Sequence, residues 1–527
     1  MDLTVFIVTA VIAVVARYFS AFRELHMLQL SSYQFVSHFN RAKKNFAVYI
    51  PYIVFLIVPV LFATPLYEIE IMKIVLPIVL CVCSVAVIIL NLPKKFKKPF
   101  VYTARVKRMI VTLTILTIIP MMIAVLAYLR QSYVTAYFTV GLMLCLSPIA
   151  ALLSNLINYP IEEYIRRWYI NDAKKILGGM KDMGIVGITG SYGKTSMKFY
   201  LGELMNSKYS TLITPESYNT PMGVVKTIRT MMKATHERFI CEMGARHTGD
   251  IKELCDIVFP QDGIITSIGP QHLETFKSID NIISTKFELA DSVNGKGILV
   301  VNGDNEYIRK GMTKYKNVIT YGFNENNDYK ATDISVSFKG TKFRVIAKNG
   351  ESCNYETSLL GEHNVLNLLG AITYCCEKGF ALDELIIPVR RISAVKHRLE
   401  LIDAGGDLCY IDDAYNSNPN GCRAALSVLS LFDCYKILCT PGMVELGEEQ
   451  DRLNEEFGRE AADVCDYVAL VGRKQTEPIL KGLKAKGFDE EKIFIADSLS
   501  EAIENIKNIR TEKKKIVLLE NDLPDNY

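Results

Sequence analysis

The sequence predicts a helical transmembrane domain at the N-terminus, then a central α/β domain with a mostly parallel sheet, then a smaller doubly wound α/β domain. Three observations predict this. The first 157 residues contain five apolar runs of bilayer length. From residue 183 onward, short apolar strands alternate with amphipathic helices. Between them, Gly184–Met205 reads as a buried strand, a glycine turn and a helix.

The chain has 527 residues, enough for two or three cores, and half of them are hydrophobic. Its mean hydropathy of +0.17 is high for a protein without membrane segments. The apolar runs are Leu3–Phe22, Phe46–Leu66, Ile71–Leu92, Met109–Leu129 and Tyr133–Asn155. A helix needs about 20 such residues to cross the hydrocarbon. The first run lacks the basic start and small-residue cleavage site of a signal peptide.

Charge then sets orientation. Arg23, Arg41, Lys43 and Lys44 follow the first run. Lys94, Lys95, Lys97, Lys98, Arg105, Lys107 and Arg108 follow the third, whereas Glu68 and Glu70 lie between the second and third. Basic loops stay inside, so the N-terminus is expected outside and the chain inside after Asn155. The expected location is the plasma membrane, multi-pass, with cytoplasmic domains following. The basic loops have a plain reading, topology alone, and a sharper one, a cradle for an anionic lipid head group. Tyr159–Asp182 reads as an amphipathic helix at the membrane surface, with Ile161, Tyr164, Ile165, Trp168, Tyr169 and Ile176 on its apolar side. The expected domains are therefore 1–157, an interfacial helix over 158–182, 183–395 and 396–527.

Composition excludes some functions. A net charge of +3 gives no case for nucleic acid. The 13 cysteines show no zinc spacing and read as reduced, mostly buried thiols. The apolar runs show no buried ionisable pair, which counts against a transporter.

The segment Gly190-Ser191-Tyr-Gly193-Lys194-Thr195-Ser196 carries the chemistry. Glycines let backbone N–H groups converge on phosphate oxygens, lysine neutralises the terminal phosphates, and the threonine hydroxyl can ligate Mg²⁺. Position 188 is Ile rather than Gly, so the loop is shorter than the general eight-residue form.

Gly-Ile-Thr-Gly-Ser-Tyr-Gly-Lys-Thr-Ser resembles the ATP loop of the Mur ligases, amide-forming enzymes of peptidoglycan precursor synthesis. The resemblance continues in order through Asn219-Thr-Pro-Met-Gly223, Glu242-Met-Gly-Ala245, Ile268-Gly-Pro-Gln-His272, Lys286-Phe-Glu288, Gly361-Glu-His-Asn364-Val-Leu-Asn367, His397-Arg398 and Asp412-Asp413-Ala-Tyr415-Asn416. Glu445-Leu-Gly-Glu extends it, and the D-alanyl-D-alanine-adding branch is the nearest in pattern. Each piece is weak alone, but the joint order is specific.

The resemblance implies a cofactor, ATP with Mg²⁺, and a reaction. A carboxylate attacks the γ-phosphate to give an acyl phosphate, and an amine then displaces phosphate. It implies Lys194 on the phosphates, Thr195 and Glu242 around one Mg²⁺, and His272 with Lys286 as a carbamate at a second. Arg398 would reach the γ-phosphate, Asp413 the ribose, and Asn364 and Asn367 the adenine. Asn219, Thr220, Tyr415 and Asn416 would face substrate. Lys277 is a fallback for Lys286. Taken singly, the asparagines could be helix caps, the aspartates turn residues and the lysine a solvated charge.

The chain departs from the family in two places. Membrane runs stand where soluble members bind uridine diphosphate, and Lys515–Tyr527 lacks a recognisable Lys-Gly-Ser-Arg-type stretch. The expected partners are therefore a membrane lipid or lipid-linked glycan, coupled to an amino acid, peptide or amino sugar. Other readings are a conventional precursor ligase that is merely membrane-localised, a glutamate-adding enzyme, and a non-catalytic nucleotide-binding scaffold.

Overall fold

A backbone in hydrocarbon must satisfy its own hydrogen bonds, so apolar runs fold as helices. The computed structural model describes residues 3–44, 46–62, 69–92, 99–271, 273–337, 340–414, 418–444 and 446–521. It divides into two units, Met1–Trp168 and Tyr169–Tyr527.

The first unit contains α1 (Leu3–Leu30), α2 (Phe35–Lys44), α3 (Ile50–Phe55), α4 (Ile57–Phe62), α5 (Met72–Leu90), α6 (Ala104–Leu129), α7 (Tyr133–Cys145) and the start of α8 (Ser147–Gly178). Among the described residues, α1, α5 and α6 are long and apolar enough to cross a membrane. α7 and α8 form a pair bent by 71°, a fourth span if the two count as one. Large apolar side chains such as Val11, Ile74, Val82, Ile115 and Ile119 are exposed, which suits lipid. The expected run Phe46–Leu66 is broken into the 3₁₀ turn Phe46–Val48, α3 and α4. Pro51 and Pro59 each lack an N–H, and both fall in this stretch. Residues 63–68 and 93–98, with Glu68 and the lysines from Lys94 to Lys98, lie outside the described residues. Helix α8 runs unbroken through position 158, so the amphipathic stretch continues the last apolar segment.

The unit does bury ionisable side chains, contrary to the sequence reading. Arg17 of α1 is 4% exposed and donates to Thr117 Oγ1 (2.9 Å), Leu116 O (3.1 Å) and Met143 O (2.6 Å). Glu24 is buried and accepts from the Tyr49 hydroxyl at 3.0 Å, with His38 Nε2 3.4 Å away. These partners come from other segments of the chain, which is why sequence inspection of single runs does not reveal them. Two of the basic residues after α5 are likewise engaged. Arg105 stacks 3.9 Å over the Tyr33 ring, and Arg108 meets Glu162 at 2.6 Å.

The second unit holds two sheets. The first is built from β1 (Gly184–Thr189), β2 (Thr211–Ile213), β3 (Arg238–Glu242), β4 (Asp262–Ile265), β5 (Leu299–Asn302), β6 (Val318–Gly322), β7 (Tyr329–Ser337), β8 (Gly340–Ala347) and β9 (Ser352–Thr357). Its order is β2-β3-β1-β4-β5-β6-β7-β8-β9, parallel as far as β7 and antiparallel from β7 to β9. β1 is an interior strand, between β3 and β4, and is buried along nearly its whole length, as its run of Ile, Val and Gly requires. Helices α9 (Lys194–Asn206), α10 (Pro221–Met231), α11 (Asp250–Val258), α12 (Leu273–Phe276), α13 (Ile279–Val293), α14 (Glu306–Met312) and α15 (Glu362–Glu377) connect or cover its strands. Two apolar clusters form its cores. Met197, Tyr200 and Leu368 sit in one, and Val225, Leu254 and Leu289 in the other.

The second sheet has β10 (Glu400–Asp403), β11 (Leu408–Asp413), β12 (Tyr435–Thr440), β13 (Tyr467–Val471), β14 (Ile493–Ala496) and β15 (Lys515–Glu520) in the order β10-β11-β15-β12-β13-β14. Five of them cover the apolar runs that the sequence reads as strands, Leu408–Ile411, Tyr435–Cys439, Tyr467–Val471, Ile493–Ile495 and Ile516–Leu519. The sixth, β10, is an antiparallel edge strand with mostly exposed residues, so it lacks the apolar signature of the others.

Candidate active site

The strand–turn–helix at residues 184–206 builds the site. β1 ends at Thr189, four residues turn, and α9 starts at Lys194. Gly193 has φ +80°, and a Cβ there would collide with Asn367 Oδ1 of α15. A Cβ on Gly190 would collide with Thr266 Oγ1. The turn is braced by the segment after β4. Ser191 N donates to Ser267 O at 2.6 Å, Ser191 Oγ to Gly269 O at 3.0 Å, and the Tyr192 hydroxyl to Pro270 O at 3.1 Å. The first N–H groups of α9 face the same turn, an arrangement suited to phosphate oxygens.

Three basic side chains gather here. Lys194 Nζ donates to Gly190 O (2.7 Å) and Ser191 O (3.0 Å). Burial pushes its pKa down to about 8, with Arg398 adding to the fall and Glu242 opposing it. Lys286 on α13 is buried, and burial, then the charge of Lys194, holds it well below the ordinary lysine value. Arg398 lies near enough to act electrostatically on Lys194, His363 and Asp413.

Glu242, at the end of β3, is 1% exposed. Its Oε1 accepts from Thr195 Oγ1 (3.2 Å) and from Asn219 Nδ2 (3.0 Å). Its Oε2 faces Lys198 Nζ at 2.9 Å. Burial raises this carboxyl's pKa, but Lys198 and Lys194 outweigh it and hold the group below the usual range. Thr195 and Glu242 thus offer a hydroxyl and a carboxylate side by side next to the phosphate turn. Mg²⁺ takes one or two such protein oxygens and fills its octahedron with phosphate and water, so these residues fit it. Among the described residues, no group of three or more His, Cys, Asp or Glu side chains is placed to hold a metal ion. His272, the expected partner of Lys286, lies outside the described residues, as do Tyr415, Asn416 and Glu445. Lys277, the fallback, is exposed, whereas Lys286 is buried.

The remaining expected residues have internal duties. Asn364 accepts from Tyr200 and donates to Leu360 O at 2.9 Å, so its amide is tied into the core. Ser196 is buried beside Tyr200. Thr220 precedes α10, and Asn219 is joined to Glu242 and, through its carbonyl, to Gly244 N. Asp413 accepts from Leu399 N at 3.2 Å, and Asp412 meets His397 Nδ1 at 2.7 Å. Burial raises Asp413 to about 6, with Arg398 opposing. His397 (φ +60°) and Leu399 (φ +47°) flank Arg398 in left-handed conformations, so both aspartates hold a strained connector that presents the arginine.

Two participants escaped sequence reading. Lys198 sits one turn beyond Lys194, among the buried residues Met197 and Leu201; a lysine at such a position was the available signal. His363 is driven down to about 4 by burial, with Arg398 adding.

Known proteins are similar to this chain in sequence and fold. The Mur ligase middle domain model matches residues 188–375, and the Mur ligase glutamate ligase domain model matches 397–520. The chain belongs to the Mur ligase family. It is 30% identical over 338 residues to the UDP-N-acetylmuramoyl-tripeptide–D-alanyl-D-alanine ligase of Haemophilus influenzae, covering 63% of this chain and 72% of that one. It is also 30% identical over 292 residues to the Bacillus subtilis enzyme of that name, covering 55% of this chain and 63% of that one. The MurF ligase structure from Thermotoga maritima in complex with ADP aligns with a TM-score of 0.61 and 26% identity, over 68% of this chain and 80% of that one. A MurF structure from Acinetobacter baumannii aligns with a TM-score of 0.61 and 25% identity, over 68% and 77%. This Mur ligase is an ATP-dependent carbon–nitrogen ligase that uses Mg²⁺. Its matched regions begin at residue 188, after the helical unit.

Proposed function

We propose that this Mur ligase forms its amide bond at the inner face of the plasma membrane, on a lipid-linked cell-envelope glycan or glycopolymer. The observation that carries this is the union, in one chain, of Mur ligase domains with a unit containing three helices able to cross a bilayer. A bundle of that size is a poor match to a substrate that diffuses freely in water. The basic loops support an orientation with the ligase domains on the cytoplasmic side, where ATP is available, provided the broken stretch α3–α4 also crosses.

The reaction runs in two steps. A substrate carboxylate oxygen attacks the γ-phosphorus as the bond to ADP breaks. The co-substrate amine then attacks the acyl carbon and phosphate leaves. Both steps bring anions together, so their barrier falls with positioning and cationic charge. Lys194 would grip the phosphates, Thr195 and Glu242 would hold Mg²⁺, which offsets developing phosphate charge, and Arg398 would close on the γ-phosphate. The neutral amine, which burial of Lys286 favours, is the form that can take up CO₂ as a carbamate. Asn367 against Gly193 would border the adenine side, Asp413 the ribose, and Thr220, Tyr415 and Asn416 the substrate. The amine is carried by an amino acid, peptide or amino sugar.

A second reading rests on the relatives: a conventional precursor ligase held at the membrane, acting on UDP-N-acetylmuramoyl-tripeptide and D-alanyl-D-alanine as their names state. ADP release by the full chain in nanodiscs separates the two. Lipid-linked glycan carboxylates should be consumed at least tenfold faster than the soluble nucleotide tripeptide. Equal or faster use of the soluble substrate rules out the lipid-linked reading.

A further inference from the structure

Lys198 is the most deeply buried charged side chain beside the nucleotide turn, with 0% exposure. It projects from the first turns of α9, four residues after Lys194. Its Nζ lies 2.9 Å from Glu242 Oε2 and donates to the backbone carbonyl of Glu216 at 2.5 Å. Glu216 has a left-handed φ of +41° in the loop that ends at Asn219 and Thr220. That loop returns to the same carboxylate through Asn219 Nδ2, on the other oxygen. Glu242 is thus held from two sides, by an ammonium on Oε2 and an amide on Oε1. Only the Oε1 side also faces Thr195.

We propose that Lys198 is a positioning residue: it fixes the Glu242 carboxylate for Mg²⁺ and ties the Glu216–Thr220 loop to that same carboxylate. The proposal rests on placing Mg²⁺ at Thr195 and Glu242. A buried lysine is costly unless paired, and Lys198 contributes no atom to the phosphate turn itself. Holding a metal carboxylate in one rotamer is worth about 10–100-fold in metal affinity. The unbranched lysine stem suits the task, since it can be buried with its apolar neighbours Met197 and Leu201 and deliver a point charge at its end.

The test is calorimetric, on the full chain in detergent, with ADP titrated in EDTA and then at rising Mg²⁺. Lys198→Ala should leave metal-free ADP affinity within about twofold and raise the Mg²⁺ concentration for half-maximal enhancement about 10–100-fold. Propylammonium, which can refill the cavity with a charge, should restore the Mg²⁺ response, and propanol of the same size should not. An unchanged Mg²⁺ response, or equal rescue by propanol, overturns the role assigned to Lys198. Where Lys198→Ala does not fold, Lys198→Met keeps the stem volume, and its Mg²⁺ response is read the same way. Glu242→Gln is the control for the metal site. If it keeps the full Mg²⁺ response, the metal placement itself fails, and Lys198 with it. If only Glu242→Gln loses the response, the metal placement stands and Lys198 alone is overturned.

Discussion

Arg17 donates to the carbonyl of Leu116, the acceptor that Pro120 leaves without its helical N–H partner. The same guanidinium reaches Met143 O in the last turn of α7, just before the break at Leu146. A buried arginine therefore repairs two helix discontinuities at a position shielded from water. Arg17→Met should destabilise the helical unit by about 1–2 kcal/mol, measured as a lower melting temperature in detergent. In a Pro120→Ala background, residue 120 supplies its own N–H to Leu116. There the Arg17→Met cost should fall to about half. Equal costs in both backgrounds would disprove the link between arginine and proline.

Lys194→Ala should reduce ADP release at least about a hundredfold, because a preorganised charge on the transferring phosphoryl group is lost. Its effect on the ligand-free protein has the opposite sign. The folded-state pKa of about 8 lies below the free value, so the buried charge costs stability below pH 8, and this cost is relieved as pH rises toward 10.5. At pH 7 the variant should melt no lower than the parent. A clear fall in melting temperature would make Lys194 a structural residue first.

Gly193→Ala tests how tightly the nucleotide turn is packed. The left-handed φ and the collision with Asn367 act together, so nucleotide affinity and stability should both fall, the latter by more than about 1 kcal/mol. Gly249 has φ +92° but open space around its Cβ position. Gly249→Ala should cost only the backbone term, about 1 kcal/mol, and leave ADP affinity unchanged.

Lys286 separates a carbamate from a plain cation. Burial and Lys194 favour the neutral amine. Activity should fall in CO₂-depleted buffer and return with bicarbonate, and Lys286→Ala should lose about 10–100-fold. Lys277→Ala, at an exposed position, should stay within about twofold of the parent. Indifference to bicarbonate would exclude the carbamate.

Much of this site was legible because its residues follow one another in the chain. The glycine turn, Lys194, Thr195 and the strands around them need only local pattern. Legibility ends where a partner is distant in sequence. Lys198 looks like one more helix charge until β3 brings Glu242 to it, and Arg17 looks misplaced until α6 supplies Leu116 O. Asp413 reads as a sugar ligand, yet it also grips Leu399, because the strained connector at Arg398 leaves no mark in composition. β10 stayed hidden because an exposed edge strand carries no apolar run.

His363 provides a pH reporter on this same neighbourhood. Its pKa falls from the ordinary 6.5 to about 4 through burial, with Arg398 adding repulsion. The unfolded chain binds a proton here before the folded one does. The stability contribution is therefore complete above pH 6.5 and is lost as pH falls toward 4, amounting to about 3 kcal/mol. His363→Gln removes the titrating group, so the difference in unfolding free energy between parent and variant should change by that order between pH 7 and pH 4.5. The change should shrink in Arg398→Gln, where repulsion is gone but burial remains. A parent–variant difference that stays flat with pH would mean that His363 titrates normally, and with it that Arg398 does not lean on the start of α15.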